Sequence, residues 1–380
     1  MKTKKFIRNL CLGWILVLGL TAIGVLFQEQ NAFAKSKVKT ITITKVNQKT
    51  AKHVHKQLMR GKKFKLRVKG NTKSFHKKAE KLMDKVALCT EYRCDFYPII
   101  LSGASTSTAK GYTYCTVSSR NCEEYIYGIK FAKQRYKFFI DYVDKTISEL
   151  GNIRNQAVND SERIQILLTI GATTGATVSG EKVSKENIPT KLDEIIASLR
   201  ELSGYLHRTK FYKLSEAMKA RIMLPIGTNK WGKFAMRYTL DGSRTTFKAL
   251  HESKAYGKCA DFASATCKIC AMFDIGDCDY FRSTSENHAV ARVKVRTLNR
   301  NTKYSVISNG DLMNYNDYVG YKSVSTRYRR PHKMDKKIKK IDAEKRELKM
   351  PYVRIMIDTA STSAKIKGGT IYYYIPRSEW

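Results

Sequence analysis

The chain has 380 residues, 42% of them hydrophobic, enough for one large or two ordinary domains with real cores and too apolar for wholesale disorder. Its formal charge is +38, from 71 Lys and Arg against 33 Asp and Glu. Such a field draws anionic partners: nucleic acid, lipid headgroups or an anionic wall polymer. The sequence has no zinc-finger spacing and no aromatic-basic nucleic-acid motif.

The N-terminus reads as a targeting segment. Lys2, Lys4, Lys5 and Arg8 precede an uncharged apolar run, Leu10 to Phe27, and Ala32-Phe33-Ala34 offers a small-x-small cleavage site. Residues 1–34 are therefore expected to be a signal peptide; if retained, residues 10–27 are just long enough to anchor the chain in a bilayer. Either outcome makes the protein secreted or extracellular. The leader carries four Lys/Arg and one Glu, a net +3, so +35 remains on the mature chain. For an exported chain, a wall polymer or membrane surface is the expected partner rather than nucleic acid. Charge that serves only solubility is the plainer reading.

Residues 35–155 read as a basic α+β module. Thr40 to Thr44 alternates as a strand, and so does Phe64 to Lys69, with Phe64, Leu66 and Val68 on one face. Ser74 is placed to cap a helix whose apolar face is Phe75, Ala79, Leu82, Met83 and Val86. A Ser-, Thr-, Gly- and Tyr-rich stretch spans Ser102 to Ser119. Tyr125 to Leu150 has the pattern of a long helix, with Gly151-Asn152 as its stop. Eight of nine cysteines follow the leader. Cys89/Cys94 and Cys115/Cys122 are locally spaced pairs that suggest disulfides in an exported protein.

Residues 156–325 hold helical patterns over Glu162 to Ile170, Pro189 to about Leu202, and Leu214 to Met223. A helix with Phe262, Ala265, Ile269 and Met272/Phe273 on one face then begins at Cys259. Two neighbouring strands follow: Val290 to Val295, then Tyr304 to Ile307. Residues 326–380 form a basic segment, Arg327 to Lys349, and two strand-like runs, Tyr352 to Ile357 and Thr370 to Ile375. Cys267-x-x-Cys270 has no second Cys-x-x-Cys or His pair, so zinc is not expected. There is no EF-hand-type loop, and no cofactor is expected.

Cys259 and His288 carry the chemistry. In Tyr256-Gly257-Lys258-Cys259-Ala260-Asp261-Phe262-Ala263 a glycine precedes a thiol at a helix start. Unpaired N–H groups and the helix dipole favour a thiolate there. In Asn287-His288-Ala289-Val290-Ala291-Arg292-Val293 a strand begins at an imidazole, which can act as general base. The plain alternatives are an inert helix cysteine, a satisfied strand-end histidine, and Asp261 and Glu286 as cap or surface charges.

These segments, with Thr245-Thr246-Phe247-Lys248-Ala249-Leu250 before them, resemble the core of the transglutaminase-like superfamily over roughly residues 210–310. The layout is similar to secreted transglutaminase-like proteins of Gram-positive bacteria. The resemblance implies an α+β, papain/transglutaminase-like core, with a nucleophile helix packed on an antiparallel sheet. It implies Cys259 as nucleophile, His288 as general base, and acyl transfer from a protein or wall-peptide amide through a thioester. Two positions depart from the family. Val290 replaces the Trp of His-Ala-Trp, and Ile307 or Ser308 stands where the orienting Asp belongs. Asn309 is the expected substitute, with Asp311 the other choice, because an amide oxygen can hold the imidazole tautomer. The competing expectation is a catalytically decayed member that serves as a basic surface-binding module.

Overall fold

The computed structural model describes residues 38–99, 106–158, 177–178, 181–182, 188–227, 235–283, 286–309, 311–313, 322–325 and 377–380. The candidate leader, the helix expected at Glu162 to Ile170, the basic segment from Arg327 to Lys349 and both C-terminal strand-like runs lie outside these residues. The fold is mixed α+β.

Strand β1 (Lys39–Thr42) pairs in parallel with β2 (Phe64–Lys69) through helix α1 (Gln48–Met59). Helix α2 (Thr72–Ala87) follows, then the hairpin β3 (Thr106–Ala109) and β4 (Tyr112–Val117); the sheet order is β1-β2-β4-β3. The expected apolar face of α2 is buried in full. Its cap differs from expectation. Asn71 accepts the Ser74 N–H at 3.0 Å, so the helix starts earlier. The Ser/Thr-rich stretch holds the hairpin: Lys110 and Gly111 both take positive φ, 51° and 73°, as a two-residue hairpin turn requires. Thr, Tyr and Val around it favour a pleated surface.

Helix α3 (Ser119–Val158) is longer than its sequence pattern suggests and runs through Gly151. A helical glycine costs about 1 kcal/mol relative to alanine. Packing against α4 (Ile188–Arg208) offsets this, for Phe139, Val143 and Leu150 share a buried cluster with Ile196, Leu199 and Leu202. Helix α5 (Glu216–Met223), capped by Ser215, leads to the second unit.

That unit comprises β5 (Met236–Tyr238), α6 (Phe247–His251), β6 (Ala255–Gly257), α7 (Cys259–Phe273) and an antiparallel sheet. The sheet is formed by β7 (Asp277–Ser283), β8 (His288–Arg296), β9 (Thr302–Ser308), β10 (Asp311–Met313) and β11 (Lys322–Ser325), ordered β10-β9-β8-β7-β11. Asp274, at φ 53°, and Gly276, at φ 55°, turn the chain from α7 into β7. A Cβ on Gly276 would lie 2.1 Å from the Lys294 carbonyl oxygen, so only glycine fits this turn. The α3 helix joins both units. One buried cluster runs from Ile41 through Phe131 and Phe247 to Ile307 and Trp380.

All eight described cysteines are free thiols, which corrects the expectation of disulfides, of open connectivity, among Cys89, Cys94, Cys115 and Cys122. Cys115 points from β4 into the core, while Cys122 lies in the first turn of α3 with its thiol toward the Lys62 carbonyl. Local spacing put each pair near in sequence without facing the sulfurs. Among the described residues no helix is long and apolar enough to cross a membrane.

Candidate active site

The chain enters α7 along β6, which pairs in parallel with β5 and sets Gly257 opposite Tyr238. Gly257 is required by a close approach. A Cβ there would meet the Asp261 side chain at 2.5 Å. That approach lets the Asp261 carboxylate accept the Lys258 N–H at 3.0 Å and close the first turn. Asp261 is thus a helix cap. Lys258 keeps extended backbone as the N-cap residue, and its carbonyl accepts from the Asp261 and Phe262 N–H groups at 2.9 and 3.1 Å. Cys259 is the first helical residue and is half-buried.

The surroundings of the other seven described cysteines hold their thiols in the protonated form. Burial pushes the thiols of Cys94, Cys115, Cys122 and Cys270 above their usual range, those of Cys115 and Cys122 to about 11. Cys89 is raised by burial also. The Cys267 thiol is raised first by its contact with Cys278, whose sulfur lies 3.3 Å away, and Cys278 is raised by burial. A thiol held in its protonated form by burial is a poor nucleophile.

His288 opens β8. The preceding Asn287 takes φ 48°, a left-handed conformation that asparagine tolerates. Cys259 acts electrostatically on Tyr280, which pairs with Ala291, three residues on from His288. From Cys259 to Cys267 the helix advances about 12 Å. From Cys278, which touches Cys267, β7 returns about 16 Å to Ser283, and Ser283 pairs with His288.

The faces differ, however. Ala291, Val293 and Val295 join the core beneath α7, and Cys278 and Tyr280 pair opposite Val293 and Ala291. Period-two alternation then puts His288 on the far face with Val290 and Arg292. To meet the thiol, the imidazole would have to reach round the start of β8 from that far face. Small side chains at Ala289 and Ala291 leave room for the helix to lie close to the sheet.

The imidazole Nε2 lies 2.9 Å from Ser308 Oγ, at the end of β9. Burial lowers the His288 pKa below its usual 6.5, and Glu286 pulls weakly the other way. The ring is therefore neutral at pH 7, the form a general base needs. Ile307, the other candidate for the absent carboxylate, faces the core opposite Ala291. Asn309 lies one residue past β9 in the turn to β10, at φ 48°, and its Oδ1 is buried with no hydrogen-bond partner. The partner found on the imidazole is thus Ser308, and the Asn309 acceptor stays unused. Asp311 begins β10, opposite Ser308.

Three neighbours had no motif to reveal them. The Tyr280 phenol is raised by burial, and then by the charges of Cys259 and Asp261, so it remains an O–H donor beside the start of α7. Tyr238 and Leu240 are 50% and 76% exposed. Tyr238 ends β5 beside Gly257, with Leu240 two residues on, and its ring stacks on Phe262 at 6.3 Å and 22°. Only the pairing of β5 with β6 brings them to the Cys259 loop. Among the described residues no group of three or more His, Cys, Asp or Glu side chains is placed to hold a metal ion. No family model, curated protein or solved structure matches the chain.

Proposed function

We propose that the protein is an exported, transglutaminase-like cysteine acyl-transfer enzyme of peptidase or transglutaminase type, acting on protein or wall-peptide amides. What supports this reading is a half-exposed thiol at the start of α7, and a neutral imidazole as the first residue of β8, the strand whose Ala291, Val293 and Val295 share a core with that helix. The Cys259 thiol gives its proton to His288 as sulfur bonds to the amide carbon. The carbon–nitrogen bond breaks, the imidazole returns the proton to the leaving amine, and a thioester remains. Water or a second amine then takes the acyl group. Ser308 holds the imidazole in place of the family carboxylate. The Cys259 N–H, at the start of α7, and the Tyr280 hydroxyl serve as donors to the developing oxyanion. Tyr238 and Leu240 provide an apolar bed for the substrate.

The test uses p-nitrophenyl acetate as acyl donor and peptide mapping of the adduct. The expected product is a hydroxylamine-labile acetyl group on Cys259, absent from Cys259→Ala and slow to form in His288→Ala. Acetylation spread over lysines, unchanged in Cys259→Ala, would refute the enzyme reading. A second reading, a decayed fold kept as a basic surface-binding module, is favoured by one observation: alternation turns His288 to the face away from α7. It predicts salt-sensitive binding to an anionic surface that is indifferent to Cys259.

A further inference from the structure

We propose that the face of the N-terminal sheet left exposed by the described residues is a binding site for a linear, hydroxyl-bearing polyanion, a sugar- or polyol-based chain carrying carboxylate or phosphate groups. This site is separate from Cys259 and stands whether or not the enzyme reading does.

Among the described residues the sheet is buried on one side only. Phe64, Leu66, Val68, Cys115 and Val117 pack under α1 and α2, and the residues between them point outward. In β2 these are Lys65, Arg67 and Lys69; in β4 they are Tyr112, Tyr114 and Thr116. All six are half-exposed or exposed. The cross-strand pairs are Lys65 with Thr116, Arg67 with Tyr114 and Lys69 with Tyr112. The four strands contain no Asp or Glu. Along β2 the three cations recur about every 6.6 Å, a spacing suited to repeated charges on an extended chain. The flanking strands β1 and β3 add hydroxyl groups at Thr40, Thr42 and Ser107.

The central cation is fixed in advance. Arg67 donates from Nε and Nη2 to Thr42 Oγ1 at 2.9 and 2.7 Å, and its guanidinium lies 4.8 Å from the Tyr112 ring centre. A group held in place loses less freedom when it binds.

The rings decide the class of partner. Tyr112 and Tyr114 lie 6.5 Å apart at 52° to each other, and Arg67 covers one face of Tyr112. Tilted, partly capped rings cannot form the parallel platform that stacks successive flat bases. They suit puckered rings or polyols, whose hydroxyls meet the Thr, Ser and Tyr oxygens while their anions meet the cations. A membrane surface is less apt. The face projects no Trp, Phe or Leu to enter the interface.

The experiment measures binding of labelled oligogalacturonate to the full chain at 50 and 200 mM salt. A dT20 oligonucleotide and phosphatidylglycerol vesicles serve as competing probes. Lys65→Ser/Lys69→Ser is expected to weaken oligogalacturonate binding at least about tenfold and to flatten its salt dependence. Lys77→Ser/Lys81→Ser removes the same charge from exposed positions on α2, across the sheet, and is expected to change binding by less than about twofold. Tyr114→Ala is expected to weaken it by about threefold or more. Equal losses in the two lysine pairs would overturn the site, because net charge alone would then explain binding. No binding at 50 mM salt, or equally tight and equally Lys65-dependent binding of dT20 or vesicles, would overturn the partner class.

Discussion

The two sheets share one core but treat their outer faces differently. In the N-terminal sheet, β2 and β4 alternate between buried and half-exposed residues, so one face is core and the other is open and basic. In the second sheet both faces hold buried residues. Ala291, Val293 and Val295 lie under α7, while Val290, Phe281, Asp279 and Ser308 on the far face are buried too. An open face can meet a partner without rearrangement. A buried face holds its polar groups against one another, as His288 with Ser308 illustrates, and its charges in pairs, as Arg292 with Asp279 at 3.7 Å does.

The largest expected effect concerns the C-terminal residues that close the second unit. Glu379 is 2% exposed and pairs with both Arg221 and Lys303, while Trp380 packs on Tyr205 at 5.3 Å. Glu379→Ala leaves the buried Arg221 cation without its carboxylate and should cost ~3–5 kcal/mol in urea unfolding. A loss under about 1 kcal/mol would show that the tail does not close this unit.

Next comes a direct exchange between outer faces. Val290→Lys forces a charge into the buried far face and should cost ~3 kcal/mol. Thr116→Lys, on the open face, should stay within ~0.5 kcal/mol. Equal costs in denaturant titrations would erase the difference between the sheets.

The pH dependence follows from the lowered His288 pKa. Between its folded value and 6.5 the unfolded chain binds more protons. Stability therefore rises with pH across that window, is complete above 6.5, and is lost as the pH falls. His53, His55 and His251 are lowered as well, so His288→Gln should remove only a share of the acid-side slope. An unchanged slope in stability curves from pH 4 to 8 would place the ring in water.

The smallest effect is at the helix start. The Asp261 carboxylate competes with a thiolate for the positive end of α7. Asp261→Asn keeps an acceptor for the Lys258 N–H and removes that charge, so alkylation of Cys259 should quicken by roughly twofold to tenfold. A slower reaction would mean that the cap itself fails.

Legibility in the sequence followed periodicity. The β2 strand and the apolar stripe of α2 were readable because burial there is one-sided and the pattern is clean; α7 is buried almost all round, and its start was readable from the glycine two residues before Cys259. The α3 helix overran its expected stop because tertiary packing outweighs one glycine. The β3–β4 hairpin was missed, although Lys110-Gly111 between alternating Thr and Tyr was the available signal. The β7 strand was hidden because Asp277, Asp279 and Arg282 interrupt its apolar residues. Cys259 and His288 could be found by type and spacing. Ser308 as the imidazole partner, and Tyr238, Leu240 and Tyr280 beside the thiol, depend on strand register and cross-strand pairing, which no local motif encodes.

The most direct test of the central claim is the pH dependence of alkylation at each cysteine, read by peptide mass spectrometry in the wild type, His288→Ala and Ser308→Ala. The account predicts that Cys259 reacts well below pH 8, ahead of Cys267 and Cys270, that His288→Ala abolishes this lead, and that Ser308→Ala reduces it. A Cys259 that reacts no faster than the buried cysteines, or whose rate ignores His288, would contradict it.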